Sequence, residues 1–401
     1  MILPEDFSRM MKELLGEEEF QLFLKALDEE PVCSARLNRR KPSERFQDEE
    51  CVAWCEKGRY LKERPQFTLD PLMHAGCYYV QEASSMFVSH LLKVYARGEE
   101  PMMCLDLCAA PGGKSTLLLD FLPEGSWLFA NEPIRQRASI LKENIVKWGN
   151  PNVTVTSNYA RDFQPLGPVF DLILCDAPCS GEGMFRKDAD SIGEWSMSNV
   201  MMCQKRQREI IRDIWDNLHD GGLFIYSTCT YNHYEDEDNV RWIAEELGAD
   251  ILPLYDEKSW GVVDGHFYPH RTKGEGFFVA ILQKEGESRR CSLDAKKVQK
   301  NLHVLLNGIE PGRVVDRKGT VEPSQSEAMT VDENKKEWPK VELSLSDALQ
   351  YLRGESLVLN ADAPRGYVLL TYEGYPLGFC KNIGSRANNL YPAEWRIKKK
   401  L

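Results

Sequence analysis

From residue 102 to residue 246, short apolar runs alternate with helical stretches across glycine-bearing junctions, and this rhythm restricts the chain to one class of fold. Strands are expected at Met102–Leu107, Trp127–Asn131, Val153–Thr156, Phe170–Cys175 and Leu223–Ser227. Helices are expected at Ser115–Phe121, Ile134–Trp148, Met201–Leu218 and Asp236–Glu246. Such alternation implies parallel βαβ units in a doubly wound sheet. Ligands of these sheets bind beyond the carboxyl ends of the strands, so the residues there are the candidates for chemistry.

The first strand runs into DLCAAPGGKS, Asp106–Ser115. Gly112 and Gly113 permit a tight turn and let backbone approach a ligand closely. The helix that follows offers free N–H groups and a positive dipole end to a carboxylate or phosphate. A phosphate loop would need glycine where Cys108 stands, ahead of Gly113, Lys114 and Ser115, so that cradle is incomplete even though FDLILCD ends in an acidic residue, Asp176. A methyltransferase using S-adenosylmethionine requires instead an acidic residue ending the second strand, for the ribose hydroxyls. It also requires a polar residue ending the third, near the adenine. Glu132 and Asn158 stand at those places.

The fourth strand ends in DAPCSGEGMF and the fifth in YSTCTYN, which places Asp176 and Cys179 after one and Cys229 after the other. If those strands are parallel neighbours, both thiols emerge at the sheet edge that carries the glycine turn. Carbon 5 of cytosine is a poor nucleophile until a thiolate adds at carbon 6 and creates an enamine, which can attack a methyl sulfonium. That step wants a soft nucleophile that adds and leaves readily. Cys229 is the candidate nucleophile, Asp176 the acidic group for the N3 side of the ring, and Cys179 the thiol that assists its release. Methylation of an amine would need no thiol. Either cysteine could instead be a small buried apolar residue; the threonines and asparagine around Cys229 argue against that reading there.

At 401 residues the chain exceeds one domain. Residues 5–30 show helical spacing broken at Gly16, and a small N-terminal unit is expected to close near residue 75. The central domain would span 76–284. Residues 285–340 are polar and read largely as linker or loop, and 341–401 carries short β-rich runs (Gly366–Tyr372, Tyr375–Cys380) that suggest a β-barrel-like module. The net charge of -12 argues against a general nucleic-acid coat, yet basic residues cluster at Arg36–Arg45, Arg135–Lys147, Lys205–Arg212 and in 381–401. A polyanion responds to such local patches, although a solvated helix face is the simpler reading of any single one. Twelve cysteines without a CxxC pair fit a reducing cytosol. No apolar run suggests a membrane span, and MILPEDFSRM lacks the features of a signal peptide. A cytoplasmic, metal-free monomer is expected.

DLCAAPGGKST, DAPCSGEGMFRKD, YSTCTYNHYEDEDN and HRTKGEGFFVAIL together resemble the RNA 5-methylcytosine methyltransferases of the RsmB/NOP2/Sun family, in its RsmF-like branch. The match covers most of the chain, and RGYVLLTYEGYPLGFCKNIGSRANNLYPAEWR is similar to the PUA-like RNA-binding module of that branch. The resemblance implies an α/β fold: a doubly wound Rossmann-like class I methyltransferase core, a small N-terminal α/β unit and a C-terminal β-rich PUA-like module. It implies S-adenosylmethionine held by Cys108, Ala109, Ala110, Pro111, Gly112, Gly113, Lys114, Glu132, Asn158 and Asp176. Cys229 would be the nucleophile and Cys179 the release cysteine, with Asp176 orienting the cytosine and Lys114 in support. The family usually carries aspartate where Asn158 stands, though an amide can still hydrogen-bond there. Small-subunit (16S) rRNA is the implied substrate, free or within an assembling subunit. The alternatives are the same chemistry on tRNA and a non-catalytic, RNA-binding ribosome-assembly factor. The latter would have lost Cys229 or the glycine turn, and both are intact.

Overall fold

The N-terminal residues form the expected helix pair, α1 (Glu5–Leu15) and α2 (Glu17–Leu27), broken at Gly16 with φ +78°. A computed structural model describes residues 2–96, 100–255, 257–287, 294–332 and 336–398 of the chain. The apolar faces of the two helices, with Phe7, Met11, Phe20 and Phe23, pack on Phe185, Trp195, Val200 and Tyr231 of the central domain. A four-stranded antiparallel sheet follows, built from β1 (Ser34–Leu37), β2 (Glu50–Val52), β3 (Cys55–Tyr60) and, after the short α3 (Pro71–His74), β4 (Tyr78–Val80), in the order β2-β3-β1-β4. β4 lies beyond the boundary expected near residue 75, because a three-residue strand shows no alternation that a sequence could reveal.

Two members of the Arg36–Arg45 cluster face inward. Arg36 is fully buried, pairs with Asp120 Oδ2 at 2.7 Å, donates to Gln81 Oε1 and Thr116 Oγ1, and lies over the Trp148 ring. Lys41 donates to the carbonyls of Ala75 and Lys147. These cations seal the N-terminal sheet to the central domain and offer nothing to a polyanion. Removing one partner strands the other charge, so Asp120→Ala is expected to cost about 3–5 kcal/mol in denaturant unfolding. The double variant Arg36→Met/Asp120→Leu should recover most of that loss. A loss no larger than about 1 kcal/mol, typical of exposed pairs, would contradict the sealing role.

After α4 (Val88–Tyr95), the central domain runs β5 (Met103–Asp106), α5 (Gly113–Phe121), β6 (Trp127–Asn131), α6 (Arg135–Trp148), β7 (Val153–Thr156), β8 (Phe170–Asp176), α7 (Ala189–Glu194), α8 (Met197–Ile214), β9 (Leu218–Thr228) and α9 (Glu237–Leu247). It closes with β10 (Ala249–Ile251), β11 (His266–Phe267) and β12 (Phe277–Lys284). Strands β5 to β9 are mutually parallel, while β12 lies antiparallel beside β9 and β10 antiparallel beside β12. α4, α5 and α6 cover one face, through residues such as Leu91, Leu117 and Leu141; α8 and α9 cover the other, through Ile211, Ile214, Val240 and Ile243. This is the doubly wound, Rossmann-like core. The chain reverses direction across the sheet between β5 and β8, and the crevice that opens at such a switch point is where ligands bind.

The segment read as linker or loop is partly structured. It holds α10 (Ala295–Gln299), β13 (Val304–Asn307), the small hairpin β14 (Arg313–Val314) and β15 (Val321–Glu322), and α11 (Gln325–Met329). β13 joins the main sheet antiparallel to β7, and Lys142 of α6 pairs with Glu310. Then come β16 (Lys340–Glu342), α12 (Leu345–Leu352), β17 (Gly366–Tyr372), β18 (Tyr375–Asn382) and β19 (Ala387–Asn389). They form an open four-stranded sheet in sequence order, with α12 against it in place of a closed barrel. Its core is continuous with the N-terminal sheet: Ala35, Leu37, Leu72 and Tyr78 pack with Leu343, Tyr351, Val368 and Leu377. Lys399 and Lys400, counted in the basic finish, lie outside the described residues.

Candidate active site

The glycine turn grows out of the carboxyl end of β5 and is fixed by its neighbours. Ala109 N donates to Asn131 O, Asn131 Nδ2 donates to Leu107 O, Arg137 Nη2 to Ala110 O and Asn144 Nδ2 to Pro111 O. Gly112 sits at φ +117°, where a side chain would be strained and its Cβ would come 3.3 Å from Leu141. The Cys108 thiol turns back onto Cys175, within the apolar cluster on that face of the sheet. Beneath the turn Asp106 is fully buried. Its Oδ2 accepts from Ser115 Oγ at 2.6 Å, while Oδ1 has no hydrogen-bond partner among the described residues. Burial pushes its carboxyl up to about 7, with the Ser115 hydroxyl working in the opposite direction.

Glu132, at the end of β6, is buried; one oxygen accepts from Ile134 N at 3.0 Å and the other faces Arg137 at 3.3 Å. Asn158, after β7, bonds to the chain that leads into β13. Its Oδ1 accepts from His303 N at 3.0 Å and its Nδ2 donates to His303 O at 3.3 Å. The amide thereby fastens the chain just before β13 to the sheet. Each end keeps further capacity, a second N–H on Nδ2 and a second lone pair on Oδ1.

Asp176 ends β8 with both oxygens occupied: Oδ2 pairs with Lys114 Nζ at 2.9 Å and Oδ1 accepts from Ser227 Oγ at 2.7 Å. Burial alone would lower Lys114, but the Asp176 carboxylate outweighs it and holds the ammonium above its usual range. The same ammonium lies 5.1 Å from the centre of the Phe277 ring.

Because β8 and β9 are parallel neighbours with Asp176 opposite Ser227, the residues that follow emerge together. Cys179 Sγ and Cys229 Sγ are 3.1 Å apart, both partly exposed, and Cys229 N donates to Cys179 Sγ at 3.4 Å. The contact with Cys229, together with burial, pushes the Cys179 thiol well up. Either sulfur could donate across the pair. Threonines on both sides of Cys229 are anchored below it, Thr228 Oγ1 and Thr230 Oγ1 each donating to the fully buried Asp236.

The structure therefore gathers Lys114, Asp176, Cys179 and Cys229 at one sheet edge beside the turn 108–114, with Glu132 at the end of β6 and Asn158 turned to His303. Sequence reasoning assigned nothing to Asp106, Ser227 or Asp236. The threonines flanking Cys229 were a signal for a buried acceptor, but its identity depended on the fold.

Three family models match the chain: an N-terminal domain of 16S rRNA methyltransferase RsmF over residues 3–83, 16S rRNA methyltransferase RsmB/F over residues 94–283, and the methyltransferase RsmF PUA domain over residues 339–397. The ribosomal RNA small subunit methyltransferase F of Klebsiella pneumoniae (strain 342) is 30% identical, over 86% of this chain and 84% of that protein. The protein of the same name from Erwinia tasmaniensis is 28% identical, over 98% of this chain and 97% of its own. Among solved structures, NSun6 from Pyrococcus horikoshii with SFG superposes at a TM-score of 0.59 and 21% identity, over 71% of this chain and 99% of that one. A methyltransferase homolog protein from Pyrococcus horikoshii gives 0.60 and 24%, over 70% and 95%. These two likenesses show the same fold. By its three matched segments and its similarity to whole-length relatives, the chain belongs to the RsmB/F family of 16S rRNA methyltransferases, in the RsmF branch.

Proposed function

We propose that this chain methylates carbon 5 of a cytosine in small-subunit ribosomal RNA, with Cys229 as covalent nucleophile and Cys179 as the thiol that assists release. The observation that carries this reading is the meeting of two thiols, 3.1 Å apart, at the ends of neighbouring parallel strands beside the glycine turn. The names of the relatives, ribosomal RNA small subunit methyltransferase F, support the choice of RNA.

The residues around the turn fit S-adenosylmethionine. Asp106 Oδ1 is a buried acceptor in want of a donor, such as an amino group, and Glu132 presents a buried carboxylate to hydroxyls. Backbone of 108–113 would hold the rest, with Lys114 and Asp176 at the rim. When bound, S-adenosylmethionine supplies an electrophilic methyl group. Cys229 adds to carbon 6 of the ring, breaking the 5,6 double bond and leaving carbon 5 nucleophilic. Lys114 and Asp176, a donor and an acceptor side by side, face the polar edge of the base and stabilise the charge that develops there. After transfer the carbon-5 proton leaves to solvent and the sulfur–carbon 6 bond breaks. Its electron pair returns to Cys229, where the S–H of Cys179 receives it as a hydrogen-bond donor.

Bisulfite sequencing of total RNA from cells with and without the gene tests the proposal. Loss of protection at one or more 16S rRNA cytosines is the expected result; unchanged 16S rRNA, or a change confined to tRNA, would overturn it.

The C-terminal module would dock the RNA. Deleting it would bare the core it shares with the N-terminal sheet, so charge reversal is the cleaner probe. Lys381 and Arg386 stand at the β18–β19 end of the module, part-exposed and exposed respectively. Lys381→Glu/Arg386→Glu is expected to weaken RNA binding by about tenfold and flatten its salt dependence, with S-adenosylmethionine affinity unchanged. Equal RNA affinity in a titration would remove the module from the binding path.

A further inference from the structure

Each thiol-bearing loop is gripped by a carboxylate from the other. Glu182, three residues after Cys179, is fully buried and reaches the loop beyond Cys229. It accepts from Tyr231 N at 2.7 Å, Asn232 N at 3.1 Å and Asn232 Nδ2 at 2.9 Å, and from Trp195 Nε1 at 2.9 Å. In return Glu235, six residues after Cys229 and also buried, accepts from Ser180 N at 3.1 Å, directly beside Cys179, and from Gln207 Nε2 at 2.7 Å. Asn232 joins the two: its Nδ2 donates to Glu235 Oε1 at 2.9 Å as well as to Glu182, and its Oδ1 accepts from Glu235 N at 2.9 Å. A backbone bond, Gly183 N to Cys229 O at 2.8 Å, runs alongside. Every partner of the two carboxylates named here is a donor, so an amide in either place would turn an NH2 toward N–H groups and leave buried donors unpaired.

We propose that Glu182 and Glu235 are positioning residues that keep the two sulfurs in register, Glu182 acting through the Cys229 loop on covalent addition and Glu235 through the Cys179 loop on release. The proposal rests on the assignment of those roles to the two cysteines. An ordinary structural role would make both variants slow both steps alike, whereas the crossed grip separates them. Misplacement of a reacting group by about 1 Å can cost on the order of 10²-fold, enough to move each step visibly.

The test compares Glu182→Gln and Glu235→Gln in the full-length protein with a 16S rRNA transcript. It reads first-turnover methyl transfer, steady-state turnover and covalent protein–RNA species on denaturing gels. Glu182→Gln is expected to slow the first turnover by about 100-fold without accumulating adduct. Glu235→Gln is expected to keep the first turnover within about threefold, slow later turnovers by about 100-fold and accumulate adduct. Affinities for S-adenosylmethionine and RNA should be unchanged in both. If either amide variant does not fold, Glu182→Asp and Glu235→Asp, which keep the charge but shorten the reach by one methylene, must show the same split. Equal slowing of both steps in both variants, or wild-type kinetics in either, overturns the proposal. Failure of the Cys229 assignment itself would register separately, as methyl transfer persisting in Cys229→Ala.

Discussion

Cys229→Ala is expected to lower methyl transfer by on the order of 10⁴-fold or more while S-adenosylmethionine still binds within about twofold of the wild-type affinity. The size of the effect follows from the chemistry, since without thiolate addition carbon 5 remains part of an intact pyrimidine. The selectivity follows from the structure. Cys229 stands after β9, whereas Asp106 and the turn 108–113 lie at the end of β5 and Glu132 at the end of β6, and among the described residues no hydrogen bond of theirs passes through the cysteine side chain. A rate assay on a 16S rRNA transcript, paired with calorimetric titration of the cofactor, checks both halves. Activity near the wild-type level would remove the nucleophile assignment, and joint loss of activity and cofactor affinity would point to collapse of the site.

Cys179→Ala should behave in the opposite manner. Its thiol is pushed up by the Cys229 contact and by burial, and it lies 3.1 Å from the sulfur on which the proposed adduct would resolve. Loss of a positioned proton-bearing group slows its step by roughly 10²–10⁴-fold, and when that step is release the enzyme stops after addition. The expected result under turnover conditions is a slow-migrating protein–RNA species on denaturing gels, absent from the wild type and from Cys179→Ala/Cys229→Ala. No shifted species in the single variant would sink the release role.

Much of this arrangement was legible in the order of residues. β6 and β7 fall at Trp127–Asn131 and Val153–Thr156, where apolar runs bounded by turn residues place them. The meeting of Cys179 and Cys229 could be read because each follows an apolar strand, and adjacent parallel strands release their ends on the same side. What stayed hidden depends on pairing across distance. Val304–Asn307 is a short run in a polar segment, and only its partner β7 makes it a strand. β9 begins at Leu218, five residues ahead of the apolar run, because Leu218 pairs with Phe170 before an irregularity in register. α8 begins at Met197, where the Ser196 side chain accepts from Asn199 N and caps the helix. Arg36 looked like one member of a basic surface patch until its partner, 84 residues away, was seen beneath it.

The same limit applies to the site. Glu182, Glu235 and Asp236 sit in loops of polar texture, where a carboxylate usually faces water, and the fold buries all three against N–H and hydroxyl donors. Asn158 shows the converse, since its position after the third parallel strand suggests a ligand contact and a neighbouring segment takes its amide. Among the described residues, no helix is long and apolar enough to cross a membrane.

The proposed covalent step at carbon 6 can be tested directly. A 16S rRNA transcript carrying 5-fluorocytidine has no proton to lose from carbon 5, so after methyl transfer the sulfur–carbon bond cannot be broken by elimination. Incubated with the wild-type protein and S-adenosylmethionine, it should yield a stable complex whose digested peptide carries the modified cytidine on Cys229, as read by mass spectrometry. A complex that fails to form, or a cytidine found on any residue other than Cys229, would contradict the account.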